Sequence, residues 1–183
     1  MKRLMITNRK PPRFFGNTIV LLYWKNYAVL TIGPHWPFSL GLVTSIILLS
    51  AFLLIFLYIT MPLAFYIGCG VVILQLSWYV SSIIWGPGHP SFEIREEHLD
   101  IVNKDICRWW RKCKIVRDVD VEHWLDWNVC VIGYDHHWAW TSKCVGKWNF
   151  IFFNAFLVST WILFVYMFWA FMLIMVLIQH NQI

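Results

Sequence analysis

An Asp-His-His run lies at residues 135–137, between Cys130 and Cys144, and Trp138 follows it directly. A carboxylate beside an imidazole is the usual arrangement of a general base and the group that orients it. Imidazole and thiolate are also the usual ligands of zinc. A base of this kind acts on a hydroxyl or a thiol, whereas an indole offers only an N–H donor. The stretch therefore has parts of an acid–base or metal site with no evident nucleophile.

The elements that must position these residues are strongly apolar. Of the 183 residues, 59% are hydrophobic and 14% are charged. All ten acidic residues lie between Glu93 and Asp135, and residues 26–92 and 148–183 carry no charge. This pattern is too apolar for an ordinary soluble domain. It indicates two apolar blocks separated by one charged block.

The apolar blocks are long enough for three membrane spans, because a helical span needs about 20 apolar residues. The stretch Ser39–Trp85 holds two spans, with the expected tight turn at Ile59–Pro62. The stretch Trp148–Ile178 holds one. The predicted fold is an all-α integral membrane protein with three transmembrane helices and a small cytosolic, zinc-finger-like cysteine-rich domain between the second and third.

The N-terminal 15 residues are basic and contain no acid, which places the N-terminus in the cytosol beside membrane lipid. Two spans return the chain to that side, so the charged block is also cytosolic. The N-terminal segment is too short and too unstructured to predict nucleic-acid binding. The predicted organisation begins with a basic cytosolic segment (1–38) and a transmembrane hairpin (39–85). A cysteine-rich domain (86–147), a third helix (148–178) and a lumenal tail (179–183) follow.

Four of the five cysteines fall in the cytosolic block, at positions 107, 113, 130 and 144. A reducing compartment disfavours disulfides and favours metal binding or thiol reactivity. The block is also too poor in apolar periodicity to fold by hydrophobic burial alone, for which a structural metal is the usual remedy.

The chain resembles the DHHC-type protein S-acyltransferases (palmitoyltransferases). The residues that carry the resemblance are the Asp-His-His run, the Cys-Val-Gly of 144–146, Asn149, a Gly-Pro-Gly at 86–88 where the family has Asp-Pro-Gly, and the "NFIFF" of 149–153 that leads into the next span. The resemblance implies a multi-pass protein of the endoplasmic reticulum, the Golgi or the plasma membrane. It also implies transfer of a fatty acyl group from acyl-CoA to cysteines of substrate proteins.

The resemblance implies two zinc sites and one nucleophile. The first site would use Trp110, Cys113, His123 and Cys130, and the second would use Trp124, Trp127, His137 and Cys144. The nucleophile position falls on Trp138, with His136 as its general base and Asp135 as the residue that orients the base. Cys107 is a possible extra ligand of the first site.

Four positions that are cysteine in the family are therefore tryptophan here, at 110, 124, 127 and 138. Either the chain is a pseudoenzyme in which aromatic packing replaces zinc, or UGA codons for cysteine have been read as tryptophan. As literally written the chain cannot form an acyl-enzyme at position 138, and zinc binding would be partial or absent. The family's fourth span also has no counterpart, so the chain is either a fragment or a shortened member.

Two alternatives to an enzyme remain open from the residues alone. The first is a catalytically dead family member that acts as a membrane adaptor or binding protein. The second is an unrelated three-span protein with a partial zinc site. Zinc content distinguishes them, since two zinc ions per chain would support the enzyme and none would favour the adaptor.

Overall fold

The computed structural model describes residues 13–25, 27–90, 108–110, 115–117, 120–125 and 127–180. Its three helices are α1 (Trp36–Thr60), α2 (Pro62–Ile84) and α3 (Phe150–His180), and each is long and apolar enough to cross a membrane. The prediction of a three-span membrane protein is confirmed. Met61 alone separates α1 from α2, inside the predicted turn, and Pro62 begins α2 where its missing N–H costs nothing.

Helix α2 packs against both α1 and α3. Polar side chains join α2 to α3 inside the apolar region: Gln75 donates to the Thr160 hydroxyl at 2.8 Å and accepts from Ser159. The hydroxyl of Tyr166 donates to the carbonyl of Ala64 at 2.6 Å. Hydrogen bonds of this kind hold helices together where lipid supplies no hydrophobic drive between them.

The described part of the predicted basic segment forms an antiparallel sheet of three strands, which sequence analysis did not predict. The strands are β1 (Phe14–Phe15), β2 (Thr18–Trp24) and β3 (Tyr27–Ile32), in that order. Five residue pairs join β2 to β3 across a tight turn at Lys25, whose φ is 47°.

Among the described residues between α2 and α3 there are three antiparallel ribbons. They pair β4 (Arg108–Trp110) with β5 (Ile115–Arg117), β6 (Val121–Trp124) with β7 (Val129–Ile132), and β8 (His136–Trp138) with β9 (Lys143–Val145). A 3₁₀ turn, Ala139–Thr141, joins β8 to β9. Ribbons this short are held by what they pack against, because an isolated two-stranded hairpin is marginal in water.

The β8–β9 ribbon is fastened to the helices through its 3₁₀ turn. The carbonyl of Trp140 accepts hydrogen bonds from the hydroxyls of Tyr79 (2.6 Å) and Ser39 (2.8 Å), so α1 and α2 both hold it. The linker from β3 to α1 also touches this turn: the Gly33 N–H donates to the Ser142 hydroxyl at 3.2 Å. A side chain at position 33 would collide with the Ser142 carbonyl, so this close approach requires glycine.

Candidate functional site

Asp135 and His136, which sequence analysis assigned as the orienting residue and the general base, are hydrogen-bonded in the structure. A hydrogen bond of 3.0 Å joins His136 Nδ1 to the carboxylate of Asp135. Since a carboxylate can only accept, Nδ1 carries the proton and the lone pair resides on Nε2. That Nε2 atom is buried and has no hydrogen-bond partner among the described residues. His136 is therefore an oriented imidazole with an unused basic nitrogen.

The nucleophile position lies beside this imidazole. The rings of Trp138 and His136 are 5.8 Å apart, and both rest on Phe153 in the first turn of α3, at 5.2 and 5.0 Å. Trp138 contacts the apolar cluster that includes Tyr79 and Phe156. Its indole nitrogen is buried and has no hydrogen-bond partner among the described residues. Position 138 thus lies next to a base and beside the first turn of α3, but an indole supplies no nucleophile there.

The four residues predicted for the second zinc site do come together. His137 and Cys144 are paired across β8 and β9, with Nδ1 4.0 Å from Sγ. The Trp127 ring stands edge-on to the His137 ring at 4.3 Å, and the Trp124 ring stacks on it at 5.8 Å. The Tyr134 ring also stacks on that of Trp124, at 5.4 Å. We call these five residues the aromatic cluster.

The aromatic cluster as written does not fit a zinc ion. Only His137 and Cys144 can ligate, whereas a structural zinc site needs four N or S ligands. Trp127 is 2% exposed and occupies the interior against Cys144. In the described ranges, no group of three or more His, Cys, Asp or Glu side chains could hold a metal ion. Burial raises the pKa of the Cys144 thiol to about 12, as expected for a thiol packed among aromatic rings.

Half of the first predicted zinc site can be described. His123 and Cys130 are paired across β6 and β7, and His123 Nδ1 is 3.4 Å from the Cys130 sulfur. Trp110 lies on β4 with its backbone opposite Ile115. Cys113 and Cys107 are outside the described residues. Each of these two ribbons, β6–β7 and β8–β9, thus places one histidine directly opposite one cysteine on the paired strand.

Asn149 fixes the strand that carries Cys144. Its side-chain carbonyl accepts from the Gly146 N–H at 2.8 Å, and its amide donates to the Cys144 carbonyl at 3.0 Å. The side chain is 1% exposed and lies directly before α3. The residue therefore ties the last ligand position to the start of the third span.

Lys143 was missed by sequence reasoning. It is 1% exposed and pairs with Trp138 across the β8–β9 ribbon. Its ammonium donates to the Thr31 carbonyl (2.6 Å), the Thr31 hydroxyl (3.0 Å) and the Trp85 carbonyl (3.1 Å). Burial lowers its pKa well below the usual value, while the three acceptors match the three donors of a protonated amine. One side chain thus links β3, the end of α2 and the strand opposite position 138.

Two histidines outside the predicted set also contact the site. His35, just before α1, lies 5.3 Å from the His137 ring and 5.4 Å from the Trp127 ring. His89 is 1% exposed, and burial lowers its pKa to about 4, so it is neutral and hydrogen-bonds through Nδ1 to the Cys130 carbonyl at 3.1 Å. The turn-like "GPGHP" context of His89 and the position of His35 before a span gave no sign that they would be buried here.

The sequence of this chain is similar to that of known proteins. Residues 103–183 match the family model of the DHHC palmitoyltransferases. The chain is 39% identical over 70 residues to palmitoyltransferase ZDHHC14 of Homo sapiens, which is 38% of this chain and 14% of that relative. It is 37% identical over 71 residues to palmitoyltransferase ZDHHC9 of Bos taurus, 39% of this chain and 19% of the relative. It is 38% identical over 53 residues to palmitoyltransferase ERF2 of Candida glabrata, 29% of this chain and 16% of the relative.

The DHHC match takes in every residue that the sequence analysis assigned to the site, from Trp110 to Cys144. The matched stretches span less than a fifth of the length of these relatives, at 14%, 19% and 16%. The described ribbons, the Asp135–His136 pair and the start of α3 all lie within the matched region.

Proposed function

We propose that this chain is a membrane-embedded protein S-acyltransferase, and that positions 110, 124, 127 and 138 are cysteine in the protein made by its own cell. The N-terminus and the three ribbons face the cytosol, where acyl-CoA and substrate proteins are available. The observation that carries the proposal is the Asp135–His136 pair, with its partnerless basic nitrogen beside position 138. A base oriented in this way is suited to act on a neighbouring thiol.

The buried indole nitrogens support the second half of the proposal. Buried tryptophans usually find a partner for their N–H. Among the described tryptophans, the buried and unpartnered indole nitrogens are those of Trp124 and Trp138, and the resemblance places cysteine at both positions. Each unsatisfied donor costs about 1–3 kcal/mol. A thiol has no such requirement, because sulfur is a weak donor that packs as a small apolar group.

With a thiol at position 138, we infer a reaction in two steps. His136 Nε2 takes the thiol proton, and Asp135 stabilises the imidazolium that forms. The thiolate attacks the carbonyl of the acyl-CoA thioester, a new thioester forms at position 138, and the CoA thiolate leaves with the proton. A substrate-protein cysteine then gives its thiol proton to His136 Nε2 and attacks this thioester; the acyl group moves to it, and the thiolate that leaves position 138 takes the proton back.

Thiols at 124 and 127 would complete a set of four zinc ligands with His137 and Cys144, and a thiol at 110 would join Cys113, His123 and Cys130. A closed tetrahedral site of this kind is structural and fixes the ribbons. The ribbons need such fastening because each contains only three or four residues per strand.

The experiment compares synthetic genes expressed in a host with the standard code, so that position 138 is known. One variant carries Trp110→Cys, Trp124→Cys, Trp127→Cys and Trp138→Cys, and its matched control has Trp138→Ser instead. Each is placed in lipid nanodiscs with palmitoyl-CoA, and the tryptic peptide Asp118–Lys143 is analysed by mass spectrometry. We expect a hydroxylamine-sensitive acyl adduct on the first variant and none on the control. A folded, zinc-loaded first variant that forms no adduct would contradict the proposal.

The aromatic cluster favours a second candidate, a membrane adaptor without catalysis. Trp124 stacks on both Tyr134 and His137, and the buried Trp127 ring stands edge-on to His137, as expected if aromatic packing replaced metal. This candidate requires tryptophan in the protein from the source cells. It also requires that the chain as written folds without zinc.

A further inference from the structure

The β1–β3 sheet exposes an unusual apolar surface. Five large side chains on β1 and β2 are between 41% and 67% exposed: Phe14, Ile19, Leu21, Leu22 and Trp24. A β-bulge between Val20 and Leu22 breaks the alternation of β2, so that Leu21 and Leu22 are exposed in succession. We call these five residues the strand surface. Contiguous exposed apolar patches of this kind mark interaction sites.

The opposite side of the sheet is already used. Thr18, Ala28 and Thr31 are at most 1% exposed, and Thr31 accepts two hydrogen bonds from Lys143. The sheet is therefore anchored on the ribbons by one side. The strand surface is left without a protein partner among the described residues.

The sheet continues directly into the membrane-spanning helices. Only Gly33, Pro34 and His35 separate the end of β3 from Trp36 at the start of α1. On the other side, Leu30 of β3 forms a β-bridge with Trp85, the residue after α2. Trp36 is 52% exposed and Trp85 is 37% exposed, as expected for aromatic anchors at the membrane–water interface. The sheet thus begins at the level of the bilayer surface.

The charge around the strand surface suits an acidic membrane. Residues 1–25 contain six basic residues and no acidic residue, and Arg13 and Lys25 flank the strands and are exposed. Basic residues near the surface of the cytoplasmic leaflet are attracted by its acidic phospholipids. An apolar surface bordered by basic residues is typical of segments that lie in the interface.

We propose that the strand surface lies in the headgroup region of the bilayer, with Leu21, Leu22 and Trp24 inserted and with acidic phospholipids gathered by the flanking basic residues. The sheet is then a membrane-docking element that holds the β8–β9 ribbon at a fixed height above the helices, through Lys143 and Ser142. The proposal does not depend on acyltransferase activity or on the identity of positions 110, 124, 127 and 138.

The test measures the reactivity of a thiol at position 24. The variant Trp24→Cys and the matched control Asn17→Cys place a thiol in the same tryptic peptide, residues 14–25, which contains no native cysteine. Each full-length chain is placed as a single copy in nanodiscs of phosphatidylcholine with or without phosphatidylserine. Labelling by a membrane-impermeant maleimide is followed by mass spectrometry of this peptide, and each rate is divided by that of the same unfolded variant.

We expect the thiol at position 24 to react about tenfold more slowly than that at position 17 in discs with phosphatidylserine, because insertion raises the thiol pKa and removes thiolate. The slowing should weaken without phosphatidylserine and at high salt. Equal rates at both positions in these single-chain discs would overturn the proposal. So would protection that appears only in parallel discs with two chains, which would assign the surface to a second copy. Equal slowing in both lipid mixtures would overturn the role of acidic lipid.

A second measurement covers the case in which Trp24→Cys does not fold. Brominated lipids quench the fluorescence of tryptophans that lie in the bilayer. The wild-type chain should lose a larger share of its fluorescence to such lipids than the conservative variant Trp24→Phe. The same fractional quenching of the two chains would contradict insertion of Trp24.

Discussion

Replacing Trp124 and Trp127 together by cysteine converts the aromatic cluster into a set of four zinc ligands with His137 and Cys144. The matched control is the double change Trp124→Ser with Trp127→Ser, which removes the same rings and adds no strong ligand. The backbone needs little adjustment, because β6–β7 and β8–β9 already bring the other three positions next to His137. We therefore expect the cysteine variant, and not the control, to gain a zinc ion.

The size of the effect follows from the burial of the two rings. Removing a buried tryptophan costs about 3–5 kcal/mol, and Trp127 is 2% exposed. Trp124 is only partly buried, and removing its unpartnered N–H returns about 1–3 kcal/mol. The smaller loss of packing at Trp124 is about balanced by this return, so the metal-free variants should be destabilised by about 3–5 kcal/mol. Binding of a structural zinc contributes about 10–16 kcal/mol, which more than offsets this loss.

The assay combines zinc per chain, measured by elemental mass spectrometry, with thermal unfolding before and after a chelator. The cysteine variant should hold one more zinc than the serine control. It should be the more stable of the two with zinc and lose that advantage with chelator. The reasoning is refuted if the cysteine variant binds no more zinc than the serine control, or if the chain as written already binds the second ion.

Two further predictions concern residues that hold the site in place. Lys143→Met removes all three hydrogen bonds of the buried ammonium. We therefore expect thermal unfolding to show a free energy of unfolding lower by about 2–4 kcal/mol. The control Lys147→Met, at an exposed position, should change it little. Equal losses would show that Lys143 is not a structural link. Asn149→Ala should lower the free energy of unfolding by about 2–3 kcal/mol, because both hydrogen bonds of the Asn149 side chain are buried. The control Asn154→Ala removes one exposed hydrogen bond to Phe150 and should lower it by less than about 0.5 kcal/mol. The same Tm for the two variants would contradict the role given to Asn149.

The helices and part of the site could be predicted from the sequence. Long uncharged apolar runs predict helices that span a bilayer. The break between α1 and α2 lies at Met61, before a proline, as the sequence indicated. The pairing of His137 with Cys144 and of His123 with Cys130 follows the family spacing, because each pair belongs to one short hairpin. These contacts could be predicted because both partners lie close together in the sequence.

The rest depends on contacts between distant segments. The β1–β3 sheet was missed because its strands are bordered by basic residues and precede a membrane span. A basic segment in this position is usually an N-terminal tail without secondary structure. Lys143 and His35 were missed because lysine and histidine are usually exposed, and their burial depends on partners more than 90 residues away, such as Thr31 for Lys143 and His137 for His35. No local sequence pattern indicates a contact partner that far away along the chain.

The most direct test of the central claim is the mass of the tryptic peptide Asp118–Lys143, taken from protein purified from its own source cells. This peptide contains positions 124, 127 and 138 together. Our account predicts a mass that corresponds to three cysteines in place of three tryptophans. A mass that corresponds to tryptophan at all three positions would contradict it, and would exclude cysteine-based acyl transfer at position 138.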